Sequence, residues 1–247
     1  MHQMWWSARL PVLCPFCKVR LYGHDEHGPV PLKQAPGGGG VPAAHVRQSV
    51  RVDLDAPFDR NPLHLELGCG SAKHDPLAVG IDVLPAGGVD VVNDALTVMR
   101  GLPDASVDRI SSYHFLEHID DPEAVVREAA RVLRTGGLFE AEIPYFANPW
   151  FYSDPTHRTH FGLYTFAYWV ERTPYRRKAP HYREPAPFEM LPAVYHFKSS
   201  RPFYGRHALK MAIGWGPNVS RWTQEFYEEN LCWLFPAHEI RYVLRRL

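Results

Sequence analysis

Short apolar-rich runs separated by polar, turn-forming segments begin at residue 63. Leu63–Leu67 ends at a glycine-rich turn, and Ala78–Val83 ends at a turn that contains proline and two glycines. Val89–Val92, Val107–Ser112 and Leu138–Ile143 repeat the pattern. Short apolar runs bounded by turn residues are typical of buried β-strands. We therefore predict five strands in this part of the chain.

A helical pattern precedes the last of these strands. In Pro122–Arg134 the apolar residues recur on one face, and Thr135-Gly136-Gly137 follows as a helix stop. Strands that alternate with helical or turn segments favour an α/β fold with a doubly wound parallel sheet. Such sheets bind ligands beyond the carboxyl ends of their strands. The pattern therefore predicts a ligand site at that edge of the sheet.

The chain on either side of this region is less regular. Ala208–Gly214 and Arg221–Leu234 have the spacing of helices, and His238–Leu244 has that of a closing strand. Gln34–Pro42 contains four consecutive glycines, which are typical of a flexible linker. We predict an N-terminal extension with its linker over residues 1–42 and one main domain over residues 43–247.

Charge adds a constraint on partners. Lys and Arg number 27, as do Asp and Glu, but the net charge is +3 over residues 1–50, −9 over 51–150 and +6 over 151–247. A zero sum disfavours bulk attraction to nucleic acid or an anionic membrane, and no apolar run of about 18 residues predicts a membrane span. The segregation predicts two surfaces, an acidic one for a cationic or hydroxyl-bearing ligand and a basic one for an anionic group. The alternative for the basic surface is a solvated loop; its residues are Arg172, Arg176, Arg177, Lys178, His181 and Arg183.

The N-terminal extension contains metal-ligand residue types. Cys14 and Cys17 form a C-x₂-C pair, and His24 and His27 follow within ten residues, which gives four potential zinc ligands. The alternative is an extension with two free thiols. Four cysteines in the chain are too few for a disulfide scaffold, and the first residues lack a signal-peptide pattern. We therefore expect a cytoplasmic location.

Glycines and carboxylates follow the predicted strands at the ligand edge. Gly68 and Gly70 allow a sharp turn and close approach of a ligand after the first strand. Asp82 ends the second strand, where a carboxylate can accept both hydroxyls of a ribose. Asp94 follows the third strand and is placed to reach an adenine amine, or else to cap a helix. Residues 71–77 are too few for the usual helix after the first strand, which disfavours a dinucleotide phosphate site.

These segments together resemble class I S-adenosylmethionine-dependent methyltransferases of the methyltransferase type 11 group. The resemblance covers residues 61–145, including an H-x-L-E-H segment at 114–118 and an R-V-L-x-x-G-G segment at 131–137. It implies a Rossmann-like sheet of seven strands with the last antiparallel, and S-adenosylmethionine as cofactor. It also implies that residues 150–237 form the acceptor side.

The resemblance assigns the cofactor-binding residues. Glu66, Gly68 and Gly70 would surround the methionine portion, and Asp82, with Val83 beside it, the ribose. The adenine would lie against Asp94, Ala95 and Leu96. The floor near the sulfonium would be formed by Tyr113, His114 and Phe115.

Candidate proton acceptors lie after the fifth strand. His157 and His160 are three residues apart and share a face if this segment is helical. Three interpretations stay open: a catalytic base or substrate-orienting pair, a structural pair, and a metal site with Asp154. His114 is a further catalytic candidate. In the same segment, Glu117 would anchor the loop and His118 would cap the next helix if their roles are structural.

The sequence therefore predicts an enzyme that methylates an oxygen or nitrogen of a small biosynthetic or sugar-like molecule, with an anionic acceptor as one option. One alternative is an RNA methyltransferase, which the Cys/His extension and the basic C-terminal third would suit. Another is an S-adenosylmethionine-binding protein that catalyses a non-methylating reaction. Membrane partners are not expected, and the sequence does not predict the oligomeric state.

Overall fold

The computed structural model describes residues 57–199 and 202–247. These residues form a mixed α/β sheet with helices between its strands. The predicted linker and the predicted zinc ligands Cys14, Cys17, His24 and His27 lie outside the described residues. The strands, in chain order, are β1 His64–Leu67, β2 Val79–Asp82, β3 Val91–Val92, β4 Val107–Tyr113, β5 Leu133–Pro144, β6 Val170–Arg172, β7 Ala186–Met190, β8 Val194–His196 and β9 Glu239–Arg246.

The sheet order is β3-β2-β1-β4-β5-β9-β7-β6, and β8 also pairs with β9. β1 to β5 are mutually parallel, whereas β9 runs antiparallel to β5, β7 and β8. The Rossmann-like fold with an antiparallel last strand is therefore confirmed. The sheet has nine strands among the described residues rather than the predicted seven. The extra strands arise where β7 and β8 lie end to end along β9 and where β6 extends the edge.

The helices between the strands differ in part from prediction. They are α1 Ala95–Gly101, α2 Pro122–Val132, α3 Pro149–Ser153, α4 Tyr204–Gly214 and α5 Arg221–Asn230. The sequence pattern did not indicate α1 and α3. α2 ends two residues before the predicted Arg134, because the chain is extended at Leu133 and enters β5 at once. The predicted stop therefore forms a bulge in β5, where Gly136 has φ +82°.

Residues 68–78 form turns without a helix, as the short spacing predicts. The strand ends and this turn lie over a core of aliphatic and aromatic side chains from β1, β2, β4, β5 and β9. The core includes Leu65, Ile81, Ile110, Phe139, Ile143 and Tyr242, all of which are fully buried.

No helix in the described part of the chain is long and apolar enough to cross a membrane.

Candidate active site

The ends of four parallel strands meet at one edge of the sheet. Leu67 at the end of β1 pairs with Ile81 of β2 and with Ser112 of β4, and Asp82 pairs with Val92 of β3. The turns that follow these strands are therefore neighbours. The structure brings together the glycine turn, Asp82 and the segment after β3, as the sequence predicts for a ligand edge.

Two glycines give the turn after β1 its shape. Gly68 and Gly70 have φ of +68° and +56°, a region that side chains with a Cβ rarely adopt. A Cβ on Gly68 would lie 2.6 Å from a ring carbon of Phe115. A Cβ on Gly70 would meet no atom within 4 Å. The backbone at Gly70 therefore faces open space that a ligand can fill.

Glu66 stabilises this turn by accepting hydrogen bonds from its backbone. It is buried, and its two carboxylate oxygens accept the backbone N–H of His74 at 2.9 and 3.0 Å and that of Asp75 at 3.2 Å. Burial alone raises the pKa of Glu66, but these hydrogen bonds and the His74 ring outweigh it and lower the pKa below its ordinary value. Glu66 therefore shapes the binding turn, and its lone pairs are largely occupied.

Asp82 and Asp94 differ in what they bind. Asp82 accepts the N–H of Gly70 at 3.0 Å and that of Leu84 at 2.9 Å, one on each oxygen. Since a carboxylate has about four acceptor sites, each oxygen keeps one for a ligand. Asp94 caps α1 by accepting the N–H of Thr97 at 2.8 Å, and the same oxygen accepts the Thr97 hydroxyl at 2.9 Å. Val83, next to Asp82, is 61% exposed.

A cavity of about 340 Å³ lies beside Asp94. Of the predicted adenine residues, Asp94 and Leu96 line it, whereas Ala95 is buried beneath. Three aspartates and one arginine give its wall an acidic balance. The lining residues are Asp94, Leu96, Phe115, His118, Ile119, Asp120, Asp121, Val125 and Arg158.

His114 lies between two buried carboxylates. Its Nδ1 is 3.5 Å from Oε1 of Glu117, and its Nε2 is 3.3 Å from Oε1 of Glu239. Burial lowers the pKa of His114, but the two carboxylates outweigh it and raise the pKa to about 10. His114 also has φ +53°, which places its ring in this position. His114 is therefore a cation at neutral pH. Tyr113, the residue before it, stacks on His74 with ring centroids 3.7 Å apart.

The segment 154–160 is not helical, so His157 and His160 do not share a helix face. The backbone N–H groups of Arg158 and Thr159 donate to the carbonyl of Glu117 at 2.7 and 3.2 Å. This contact places His157 against His118, with ring centroids 4.9 Å apart. His160 is exposed and packs on Phe151 with ring centroids 4.8 Å apart.

The pair of the buried Glu117 and the partly buried His118 is the part of the site to which the sequence pattern gave too little weight. His118 does not cap α2, because Asp121 does so by accepting the N–H of Ala124 at 3.1 Å. Glu117 is fully buried, although carboxylates are rarely buried without a partner. The signal in the sequence was the two histidines that flank Leu116-Glu117. These histidines could be recognised as part of a site only together with the segment 154–160, which lies about 40 residues further along the chain.

The part of the chain that forms this edge of the sheet matches a known protein family. A family model described as a methyltransferase domain matches residues 65–141. No curated protein sequence matches the chain significantly.

Solved structures with similar folds have low sequence identity to this chain. A SAM-dependent methyltransferase from Archaeoglobus fulgidus has 15% identity and a TM-score of 0.48, and the match covers 77% of this chain and 89% of that one. Geranyl diphosphate C-methyltransferase from Streptomyces coelicolor has 12% identity and a TM-score of 0.43, with 75% and 72% of the chains covered. Phosphoethanolamine N-methyltransferase 2 from Haemonchus contortus has 12% identity and a TM-score of 0.45, with 74% and 48% covered.

Proposed function

We propose that this chain, which carries a class I S-adenosylmethionine-dependent methyltransferase domain, methylates an oxygen or nitrogen atom of a small-molecule acceptor. The observation that carries the proposal is the group of buried and partly buried imidazole and carboxylate side chains that follows β4, directly beside the glycine turn. A hydroxyl nucleophile usually needs a base to take its proton, whereas an amine needs only to be in its neutral form, and imidazoles and carboxylates can accept the proton in either case.

The residues at the strand ends fit the cofactor. Open space over Gly70 admits a ligand against the backbone, and Asp82 keeps acceptor sites for two hydroxyl donors. The acidic wall formed by Asp94, Asp120 and Asp121 suits a ligand that is positively charged. Residues 68–78 lack the helix N-terminus that a dinucleotide phosphate needs, and S-adenosylmethionine has no phosphate.

The cofactor supplies an activated methyl group whose carbon–sulfur bond breaks as the acceptor atom bonds to the carbon. The protein must align the acceptor and exclude water. Both ring nitrogens of His114 face buried carboxylates, so His114 holds Glu117 and Glu239 in place rather than removing a proton from the acceptor. Of the two histidines in the segment 154–160, His157 is in the buried group and His160 is exposed. We therefore place the proton-handling site at His157 and not at His160.

A small acceptor is favoured over RNA by the sign of the charges at the cavity. Asp94, Asp120 and Asp121 would repel a phosphate backbone at the point where a polynucleotide would have to enter. The arginine at this wall, Arg158, is paired with Asp120. The site therefore offers little free positive charge to a polyanion.

The test is a methylation assay with label in the methyl group of S-adenosylmethionine. The full-length protein is incubated with pooled phenols, amines and sugars, and separately with total RNA. We expect S-adenosylhomocysteine to form with label in the small-molecule fraction. Asp82→Ala should abolish this signal at limiting cofactor, and Asp59→Ala, an exposed aspartate away from the strand ends, serves as the matched control.

Label in RNA would overturn the proposal in favour of an RNA methyltransferase. Conversion of an acceptor without production of S-adenosylhomocysteine would instead indicate a non-methylating reaction.

A further inference from the structure

We propose that Glu117, His118 and His157 bind one divalent transition-metal ion. Glu117 carries the strongest indication. Its side chain is fully buried, its Oε1 lies 3.5 Å from Nδ1 of His114, and neither carboxylate oxygen has a partner with full hydrogen-bond geometry among the described residues. A buried carboxylate with unsatisfied oxygens costs several kcal/mol of desolvation, so an ion or a charged partner is expected beside it.

His118 directs a lone pair toward the same point. Its Nδ1 is 2.9 Å from the hydroxyl of Thr156, and that hydroxyl donates its only proton to Asp154 at 2.6 Å. The Nδ1 of His118 must therefore carry a proton and donate to Thr156. In the neutral ring this leaves Nε2 as an acceptor. That nitrogen is buried without a hydrogen-bond partner among the described residues.

His157 is fixed in the same tautomer. Its Nδ1 is 2.9 Å from the backbone carbonyl of Phe151, which can only accept. The proton of the neutral ring is therefore on Nδ1, and Nε2 carries the lone pair. Metal-binding histidines are commonly oriented in this way, by a hydrogen bond from the ring nitrogen that does not contact the metal.

These three groups are close enough to share one ion. One ligand atom from each of Glu117, His118 and His157 lies within 4.8 Å of the other two. Side-chain shifts of about 1 Å would bring them to the bond lengths of about 2.0–2.2 Å that zinc forms with imidazole nitrogen and carboxylate oxygen. Two imidazoles and one carboxylate suit Zn²⁺, Fe²⁺ or Mn²⁺ and leave coordination positions open for water. His118 lines the cavity beside Asp94, so water can reach this side of the site.

The metal site considered from the sequence had Asp154, His157 and His160 as ligands, whereas the structure groups His157 with Glu117 and His118. Asp154 uses Oδ1 to accept from Thr156, which positions His118, and its Oδ2 lies 3.8 Å from Nε2 of His157. His160 is exposed, packs on Phe151 and is not in the group. The competing explanation is that His114, 3.5 Å from Glu117, is its only counter-ion. The two explanations differ in whether a metal ion binds beside Glu117.

The experiment uses the full-length chain with Cys14→Ser and Cys17→Ser, which removes the N-terminal metal candidate. After dialysis against chelator, Zn²⁺ is titrated by calorimetry and bound zinc is measured by elemental analysis. We expect about one ion per chain and a rise in Tm on binding. Glu117→Gln and His118→Ala should weaken binding by at least 100-fold, and Thr156→Val, which keeps all three ligands, by about 10- to 100-fold.

His181→Ala is the matched control for adventitious binding, because His181 is an exposed histidine outside the group, and its affinity should equal that of the parent. Affinity for S-adenosylhomocysteine, measured in every variant, reports whether the fold is intact. The proposal is overturned if the parent binds no zinc below about 1 mM, or if Glu117→Gln and His118→Ala bind as tightly as the parent. Neither result depends on methyl transfer, so failure here is distinct from failure of the proposed function.

Discussion

The carboxylates at the ligand edge of this protein have different roles because their hydrogen-bond partners differ. Glu66 is buried and occupied by the backbone of the turn, and Asp94 is engaged by α1. Asp82 is half-buried, accepts one N–H on each oxygen and keeps further acceptor sites. A carboxylate held rigidly with lone pairs to spare is suited to bind paired hydroxyls. At this scale Asp82 is the residue on which cofactor affinity should depend most.

We expect Asp82→Ala to weaken S-adenosylhomocysteine binding by about 1.5–3 kcal/mol for each charged hydrogen bond lost, which is roughly 10- to 150-fold in Kd. Calorimetric titration measures this directly. Asp94→Ala should have a smaller effect on affinity, because its capping oxygen is already used within α1. An unchanged Kd in folded Asp82→Ala would contradict the role of Asp82.

A second residue, Glu228 of α5, joins distant parts of the chain. It accepts the hydroxyls of Tyr145 and Tyr195, the latter at 2.8 Å, and the N–H of Leu163 at 2.8 Å. Burial raises the pKa of Glu228 above its ordinary value, and the hydrogen bonds offset this only in part. Ionisation of Glu228 therefore costs more free energy in the folded chain than in the unfolded chain.

This raised pKa predicts a pH dependence of stability. Between the unfolded value of 4.5 and the higher folded value, the folded chain binds more protons, so stability falls as the pH rises through this window. Glu228→Gln does not titrate. The Tm of the parent minus that of Glu228→Gln should therefore be larger at pH 4 than at pH 7. A difference that grows with pH would contradict the assignment; Glu229→Gln, at the neighbouring position, is the control.

At the scale of elements, the sequence pattern predicted those parts that depend on local periodicity. The strands β1, β2 and β4 and the helix α2 appear within one or two residues of the predicted bounds. α1 was missed because the potential cap Asp94 was equally interpretable as a ligand residue. The end of α2 was misplaced because Gly136 and Gly137 suit a helix stop and a strand bulge equally well. Only the register between β4 and β5 distinguishes the two.

The segment 154–160 shows why the site was harder to predict than the fold. The spacing of His157 and His160 would put them on one face only if the segment were helical. The backbone of this segment instead binds the carbonyl of Glu117, a contact between residues about 40 positions apart. Such long-range pairing leaves no periodic signal in the sequence. The Glu117–His118–His157 group was therefore visible only in the folded chain.

This segment makes a prediction about turnover. We expect His157→Ala to lower kcat by about 10²–10⁴-fold, since proton handling typically contributes that much. His160→Ala should change kcat less than about threefold, because His160 is exposed on Phe151. Both should bind S-adenosylhomocysteine with the parent's affinity. Equal losses in the two variants would contradict the distinction drawn from the geometry.

At the scale of the whole molecule, the N-terminal extension adds a separate metal prediction. Cys14, Cys17, His24 and His27 supply four potential ligands, and zinc binding there would also be folding free energy for that segment. We expect about one zinc per chain to be lost on Cys14→Ser in protein purified without a histidine tag. The loss should be independent of Glu117→Gln. Zinc content that Cys14→Ser leaves unchanged would contradict an N-terminal site.

Ion pairs join the acidic middle segment to the basic C-terminal third in the described part of the chain. Several basic residues of the C-terminal third pair with acidic residues of the middle segment. Arg241 and Arg158 bind Glu140 and Asp120, and Arg183 lies 3.6 Å from Glu123. These three pairs therefore bring opposite charges of the two segments close together within the described residues. A field strong enough to attract a polyanion is not expected from such an arrangement.

We therefore expect weak binding to RNA, with a Kd above about 10⁻⁴ M at physiological salt and a shallow dependence on salt concentration. Heparin chromatography provides a matched comparison. Asp120→Asn releases Arg158 and should elute later than Asp59→Asn, which removes the same charge away from these pairs. Tight RNA binding by the parent with a steep salt slope would contradict the charge argument and favour a nucleic-acid acceptor. Equal elution of the two variants would show that the ion pair does not limit the surface field.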